Sequence, residues 1–403
     1  MQIVRSGAVY HNPVFGNNMM KIVFYTTAII TMTTIYSCQK PLDIKATDSN
    51  ANVLVVEGFI NTADSTKVNL SRTVVIGNKT TANPEGGANI TIENATGTVA
   101  TLTEKGKGYY VTPSQVLDNT KQYRIRIKTS NGKTYLSDLT DAKVTPPIDS
   151  IGYNITPDGL IVYANTHDAT NKSRYYLYDY EETWEFRTKF ASRYKTNGMA
   201  IVPLLNSEYT DHCFGYQPST NVVLTSTTAL TQDVVYQTPI TDIIRSSEKI
   251  SIKYSILLTQ IALTKDAYAF WDNLRKNTEK LGSIFDAQPS QIAGNINYIA
   301  DASEPVMGYI SAGTKQTKRI FINKRDLPSN FLTQYPYDCV SDTALFVSKE
   351  GDQVKKKLIP LGSGSYVLDA IVNGAIAGYT YTFSQPCVDC TIRGRKQQPN
   401  FWK

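Results

Sequence analysis

The sequence lacks the residue patterns of the common hydrolases, phosphotransferases and metalloenzymes. Its 403 residues include only three histidines, although histidine is the side chain used most often as a general base. No His-Glu-x-x-His zinc motif, Gly-x-Ser-x-Gly nucleophile elbow or phosphate-binding loop is present. We therefore expect a protein that is not an enzyme, with no catalytic residues, no metal site and no cofactor.

One histidine, His212, lies between Asp211 and Cys213, which would be the simplest arrangement of a nucleophile beside its base. Neighbouring residues of an extended chain point to opposite faces, so adjacency argues against a catalytic pair. A hydrolase is accordingly the least favoured function.

A strong charge of one sign is also missing. The chain has 41 basic and 35 acidic residues, a formal net charge of +6. Nucleic-acid-binding domains usually concentrate basic residues on one face or in a recognition motif, and this sequence shows no such concentration. We therefore expect no nucleic acid partner.

An apolar run lies near the N-terminus, at residues 22–35 directly after Lys21. A positive residue, a short apolar stretch and a small residue before the cut form a secretory signal, whereas a membrane-spanning helix needs about 20 mostly apolar residues. The small residue here precedes Cys38, as in the lipobox of bacterial lipoproteins. We predict a signal peptide at 20–37, acylation of the Cys38 thiol and a polar tether at 38–51.

Residues 1–19 are polar and fit no part of such a signal, so they are interpreted as a mis-assigned start. No aspartate follows Cys38, which by the usual sorting rule for bacterial lipoproteins favours the outer membrane. The acyl chains would anchor the protein to that membrane.

Four further cysteines follow Cys38 in the sequence: Cys213, Cys339, Cys387 and Cys390. An even number in an exported chain favours disulfides, and four cysteines allow three pairings. The close spacing of Cys387 and Cys390 also fits half of a zinc site or a redox pair, although no βαβ pattern surrounds it. The pairing stays open at this point.

Residues 52–146 show the period-two alternation of β-strands, for example at 88–93 and 122–128. Short strands separated by glycine-bearing turns are typical of a β-sandwich. Asn131 followed by Gly132 predicts a type I′ hairpin turn. The segment resembles a sandwich of the transthyretin or carboxypeptidase-regulatory type, or an immunoglobulin-like one.

A second β-rich domain is predicted at 148–385, and a cysteine-containing tail at 386–403. The longest strand candidate of this domain, 174–187, carries four rings that share one face: Tyr176, Tyr178, Tyr180 and Trp184. Such a face is either buried or lines a cleft. Because tyrosine suits recognition surfaces, these rings are possible ligand-facing residues for an oligosaccharide or a peptide.

One helix is predicted at 265–281, inserted in this second domain. Thr264 is a suitable N-cap, and Ala267 and Trp271 fall on one apolar stripe that would pack on a sheet. The predicted fold is therefore mainly β with one prominent helix.

Several segments together resemble the lipoprotein family labelled domain of unknown function 4249, namely Cys38, residues 53–58, 178–186 and 283–296, Cys387 with Cys390, Arg393 with Gly394, and residues 399–402. The resemblance extends from about Cys38 to the C-terminus. It implies an outer-membrane setting and partnership with a TonB-dependent transporter, and it supplies no catalytic residues.

The leading hypothesis is an outer-membrane lipoprotein that partners a TonB-dependent transporter and helps to capture a nutrient. The alternative is a structural or adhesion-like envelope protein without a small ligand. Both depend on the lipid anchor at Cys38.

Replacing the acylated thiol tests the anchor. We expect Cys38→Ser to move from the membrane fraction to the soluble fraction, because each buried methylene contributes about 0.8 kcal/mol to membrane binding. Fractionation and immunoblotting measure the distribution, with Thr47→Ala in the predicted tether as the control that stays with the membrane. Sedimentation of Cys38→Ser with the envelope would contradict the prediction.

Overall fold

The computed structural model describes the protein over the ranges 52–74, 83–196, 200–279, 294–335, 337–345 and 364–402. The predictions for residues 1–19, the signal at 20–37, Cys38 and the tether at 38–51 lie outside these ranges. The described residues form twenty-five strands and one α-helix, which confirms the mainly β class. Among them no helix has the length and apolar character needed to cross a membrane.

The strands and the helix follow one another in this order. The first nine strands are β1 (Leu54–Asn61), β2 (Lys67–Arg72), β3 (Asn83–Pro84), β4 (Asn89–Asn94), β5 (Gly97–Gly106), β6 (Tyr109–Val111), β7 (Gln122–Lys128), β8 (Thr134–Ser137) and β9 (Thr140–Lys143). The next nine are β10 (Ile148–Ile155), β11 (Gly159–Asp168), β12 (Tyr175–Arg187), β13 (Tyr194–Thr196), β14 (Ile201–Pro203), β15 (His212–Pro218), β16 (Val223–Ser226), β17 (Asp233–Ile244) and β18 (Lys253–Ala262). The helix α1 (Lys265–Glu279) precedes β19 (Ile296–Tyr298), β20 (Val306–Met307), β21 (Ser311–Gly313), β22 (Lys315–Asn323), β23 (Asp342–Leu345), β24 (Tyr366–Asn373) and β25 (Ala375–Thr382).

Eight strands of the first sheet close on themselves. They are bonded in the order β7, β4, β5, β6, β2, β1, β21, β9, and β9 returns to β7. The ten-residue β5 makes one of the corners, since its first half pairs with β4 and its second half with β6. A sandwich of two separate sheets is predicted for this region, and the structure shows a closed sheet instead.

Strand β7 shows why this sheet forms. Its alternation buries Tyr123, Ile125 and Ile127 in the core, as period-two patterning requires. The two arginines between them face outward and both bond to Glu93 on β4, Arg126 Nε at 2.5 Å and Arg124 Nε at 2.8 Å. These two arginines lower the pKa of Glu93, Arg126 through the larger effect.

The turn after β7 lies where the sequence predicts it but differs in type. Gly132 has φ of +87° and donates its N–H to the Thr129 carbonyl at 2.9 Å. A type I′ turn needs positive φ at both central residues, and Asn131 is not among the residues with positive φ. A single left-handed glycine is sufficient for this connection.

The first sheet is completed by a segment from the second predicted domain. Strand β19 pairs with β8, and β20 and β21 pair in parallel with β1. Gly308 permits the close approach, because a Cβ there would lie 2.1 Å from the Val56 carbonyl oxygen. Residues 296–313, which lie within the predicted region 148–385, thus add strands to the first sheet.

Two further sheets pack face to face over a second core. One contains β10, β11 and β17, and the other contains β15, β12, β18 and β22 with β16 paired to β12. Leu160 and Val162 from the first meet Ile256 and Leu258 from the second in one buried cluster. A last five-stranded sheet, in the order β14, β13, β24, β25, β23, has a small core of its own around Val367 and Tyr379.

The helix begins at Lys265 as predicted, and Thr264 caps it by accepting a hydrogen bond from the Ala267 N–H at 3.2 Å. Trp271 packs against the buried cluster that contains Ala267 and Phe59. Because Phe59 belongs to β1, this cluster connects the helix to the closed sheet. The predicted end at 281 lies beyond the described residues.

A buried carboxylate ties β12 to β17. Asp233 is 1% exposed and accepts hydrogen bonds from the hydroxyls of Tyr176 and Thr227. Burial, and then the bond to Asp233, raises the pKa of Tyr176. The neighbouring hydroxyl of Tyr178 is buried and has no hydrogen-bond partner in the described part of the chain. The two tyrosines therefore differ in what their hydroxyls contribute to stability.

Removing each hydroxyl should separate these contributions. We expect Tyr176→Phe to lower the free energy of unfolding by about 1–3 kcal/mol, because it takes a donor from a buried carboxylate. Tyr178→Phe should be neutral or slightly stabilising, because it removes a polar group that is already unsatisfied. Urea unfolding with both disulfides intact measures the difference. Equal losses in the two variants would refute the assigned bonding.

Candidate functional site

Three of the four rings predicted to face a ligand lie in the core. Tyr176, Tyr178 and Tyr180 share one face of β12 as the sequence indicates, and they are 0%, 1% and 5% exposed. That face is covered by the sheet of β10, β11 and β17, which forms the same cluster. The alternation is correct, but the face is buried and not a cleft, so these tyrosines cannot contact a ligand in this structure.

Trp184, the fourth ring, is half-buried and packs against a neighbouring strand. Its indole lies over Gly215 on the neighbouring strand, where a Cβ would come within 2.3 Å of the ring. Lys249 Nζ lies 5.3 Å from the Trp184 ring centroid and bonds to the buried Glu182 at 2.6 Å. Trp184 therefore packs against the edge strand β15.

The four cysteines form two disulfides, which settles the pairing that the sequence leaves open. Cys213 pairs with Cys390 at a Cα–Cα distance of 5.8 Å, and Cys339 pairs with Cys387 at 5.6 Å. Disulfide use is confirmed. The neighbours Cys387 and Cys390 bond to different partners and not to each other.

The first disulfide fixes the C-terminal tail, residues 386–402, on the sheet that contains β15. Trp402 packs edge-on against Phe214 and Phe321, with ring centroids 5.2 and 5.5 Å away. Its indole N–H donates to Glu185 Oε2 at 3.3 Å. Edge-to-face rings add to the area that they bury, so this indole anchors the end of the tail.

The middle of the tail is held by charge and by a close approach. Arg393 bonds to Glu248 at 2.7 Å, and its guanidinium lies 4.7 Å from the Phe186 ring centroid. Gly394 lies between the Phe186 ring and the Phe214 carbonyl group. Only glycine fits there, because a Cβ would lie 2.9 Å from the Phe186 ring and 2.9 Å from the Phe214 carbonyl oxygen. Position 394, directly after Arg393, thus has no room for a side chain.

A cleft of about 750 Å³ lies between this tail and the sheet. This size is within the range of about 300–1,000 Å³ that is usual for ligand pockets. The sheet contributes Glu181 and Thr183 from β12 and residues 214–216 of β15, and the tail contributes residues 391–395 and 397–401. The cleft exists only because the tail is docked.

The cleft combines two rings with charged groups. Tyr216 is 59% exposed and Phe401 is 37% exposed. The guanidinium carbon of Arg319 lies 3.6 Å from the centroid of the Phe401 ring, which fixes that ring. Burial, and then the charge of Glu181, raises the pKa of Tyr216. The Arg395 side chain has no hydrogen bond or ion pair in the described part of the chain and completes the polar lining.

The hydrogen bonding of β15 leaves main-chain groups open at its edge. Ser219, directly after β15, donates its N–H to the Tyr180 carbonyl at 2.8 Å. Because bonded positions alternate along an antiparallel pair, the odd-numbered residues of β15 bond to β12. Phe214 exchanges two main-chain bonds with Arg395, at 2.8 and 2.9 Å, on the opposite side. No register shift interrupts the strand pair. The N–H and C=O of Tyr216 therefore point away from β12, toward the cleft.

The consecutive residues Asp211, His212 and Cys213 do not form a catalytic arrangement, because each side chain has a different partner. Cys213 is in a disulfide, His212 Nε2 contacts Glu185 at 2.8 Å, and Asp211 bonds to Arg187 at 2.8 Å. The described residues contain no group of three or more histidine, cysteine, aspartate or glutamate side chains that could hold a metal ion.

Sequence reasoning missed the residues that line the cleft. Tyr216 and Phe401 are 185 positions apart, and no local pattern connects them. The available signal was indirect, because Cys213 and Cys390 immediately precede the two segments that form the cleft. A correct pairing of those two cysteines would have brought the tail onto β15.

Comparisons with known proteins give one informative result. The family model described as "Domain of unknown function (DUF4249)" matches residues 39–319, more than half of the chain. No curated protein matches the sequence. The tail that encloses the cleft lies beyond the matched range.

One solved structure with similarity is described as "Complete structure of manganese lipoxygenase of Gaeumannomyces graminis and partial structure of zonadhesin of Komagataella pastoris". It is 9% identical, and the match covers 54% of this chain and 91% of that chain with a TM-score of 0.13. A likeness at that score supports no conclusion about fold or function.

The docking of the tail should depend on the Cys213–Cys390 disulfide more than on the Cys339–Cys387 disulfide. We expect the pair Cys213→Ala and Cys390→Ala to raise hydrogen exchange over residues 391–402 and to lower stability by about 2–5 kcal/mol. The matched pair Cys339→Ala and Cys387→Ala should leave exchange over 391–402 close to that of the wild type. Hydrogen exchange with mass spectrometry makes the comparison, and similar exchange in both variants would contradict the assigned anchor.

Proposed function

The chain belongs to the family described as a domain of unknown function (DUF4249), and we propose that this member is a lipid-anchored outer-membrane protein that binds a ligand without converting it. The anchor would be Cys38, which follows a predicted signal peptide. The two disulfides support an exported location, because disulfides persist in oxidising compartments.

The cleft enclosed by the C-terminal tail is the observation that carries this proposal. Exposed rings supply contact area at low ordering cost, and Tyr216 and Phe401 provide them. Glu181 and Arg395 place one acceptor group and one donor group beside these rings. A few polar groups in a partly apolar concavity are typical of ligand sites.

The cleft favours binding over catalysis for a chemical reason. A general base needs to lie within about 2.6–3.2 Å of the proton that it removes, and it is usually paired with a second functional group. The carboxylate in this cleft is Glu181, and the neighbouring groups are a phenol, two guanidinium groups, hydroxyls and amides. Such groups orient a bound molecule well.

The proposed partner is a TonB-dependent outer-membrane transporter, to which this protein would deliver a captured nutrient. Lipid would hold the cleft beside the channel, which raises the effective concentration of the ligand at the channel entrance. The partnership is suggested by the resemblance of the chain to lipoproteins that accompany such transporters.

Purification from membranes tests the partnership. We expect the wild-type protein, extracted in a mild detergent, to be recovered together with a TonB-dependent transporter that mass spectrometry identifies. Tyr216→Ala should retain the transporter, because this change affects only the cleft. Recovery of the wild-type protein without any transporter would contradict the proposed partnership.

A further inference from the structure

The edge of β15 is partly occupied by the chain's own tail. Arg395 adds to this edge as an extra strand would, with a two-way main-chain bridge to Phe214. Two residues earlier the tail is turned away from the edge, because the Arg393 N–H bonds back to the Cys390 carbonyl at 3.2 Å. The edge therefore accepts an extended chain, and the tail uses only one bonded position.

The next bonded position along this edge is Tyr216. Its N–H and C=O point away from β12, and they have no hydrogen-bond partner among the described residues. Pro218 follows at the next edge position and offers only a C=O, since proline has no N–H. Tyr216 thus presents one donor and one acceptor, spaced as an added strand would bond to them.

These open groups lie in the cleft and not on a bare surface. Gly215 and Tyr216 are lining residues of the 750 Å³ space, with the tail on its other side. A strand added to a sheet lies about 4.7–4.9 Å from its neighbour. The cleft therefore borders the position where a bonded strand would lie.

The charge of the cleft indicates one further property of the occupant. The Arg395 guanidinium has no ion-pair partner in the described part of the chain. Arg393, in contrast, is neutralised by Glu248. Guanidinium groups bind carboxylates with two parallel hydrogen bonds. A carboxylate on the ligand would therefore give Arg395 an ion-pair partner.

We propose that the cleft binds a short extended peptide by strand addition, with peptide main-chain groups bonded to Tyr216 and a peptide carboxylate bonded to Arg395. This inference rests on the proposed ligand-binding function of the same cleft. Main-chain bonds to a sheet edge give such complexes their affinity, and side-chain contacts give their specificity. The rings of Tyr216 and Phe401 supply those contacts.

A peptide fits these groups better than an oligosaccharide does. A peptide repeats an N–H and a C=O at the spacing of a strand, which is what the open edge at Tyr216 needs. The C–H face of a sugar could stack on the rings, but its hydroxyl groups would not match the paired main-chain donor and acceptor. An oligosaccharide ligand is therefore a distinct outcome of the test.

The experiment incubates the detergent-solubilised full chain with a pool of N-acetylated random hexapeptides that have free carboxyl termini. Retained peptides are identified by mass spectrometry, and their dissociation constants are measured for the wild type, Tyr216→Ala and Tyr216→Pro. Both variants lose the ring, and only proline loses the edge N–H. Because that N–H does not bond to β12, both variants should unfold at similar temperatures.

We expect enrichment of peptides with a carboxylate, and affinity for Tyr216→Pro about threefold to tenfold below that for Tyr216→Ala, the effect of one hydrogen bond. Methylation of the peptide amide that bonds to the Tyr216 carbonyl should weaken binding by at least a similar factor. Arg395→Gln should weaken binding of the peptide acid and leave its amide form unchanged.

Three results would overturn the inference: no peptide is retained, the proline and alanine variants bind equally, or oligosaccharides raise the melting temperature while peptides do not. Each of these results leaves recovery with the transporter unaffected. Failure of peptide binding is therefore distinguishable from failure of the proposed function.

Discussion

The covalent bond between Cys213 and Cys390 is the constraint on which the candidate site depends. It joins two segments separated by 177 positions, one on a sheet edge and one in the tail. Cross-links over long loops remove much chain entropy from the unfolded state. Once this bond is made, Trp402 reaches Phe214 and Glu185, and the space between tail and sheet becomes a lined cleft.

The sheet beneath the tail is held in place by its buried inner face. Its inner face carries Tyr176, Tyr178 and Tyr254, which are almost fully buried against the second sheet. Glu182 is satisfied within this core by Lys249 and by the Tyr254 hydroxyl, at 2.6 and 2.8 Å. Buried charges are tolerated when they are paired and hydrogen-bonded. The edge strand is therefore held from behind, so a ligand on its open side would meet a preformed backbone.

The helix α1 and the C-terminal tail cover different parts of the outer face of the same sheet. The helix α1 packs near the start of β12, where Tyr175 and Leu177 join the cluster around Ala267. The tail covers the other end of β12, near Glu185. Edge strands with unpaired main-chain groups invite association with other chains, and here the tail protects one part of the edge while Tyr216 stays open.

The sequence by itself determined the local structure: the β class, the period-two faces of β7 and β12, and a helix that begins at Lys265 after its Thr264 cap. These features depend on neighbours within a few residues, where side-chain spacing and capping act directly. Only the tertiary structure decided that the ring-bearing face of β12 is buried, that residues 296–313 complete the first sheet, and which cysteines pair. It also assembled the cleft from Tyr216 and Phe401, because contacts between residues far apart depend on how whole elements pack, and no local pattern records that packing.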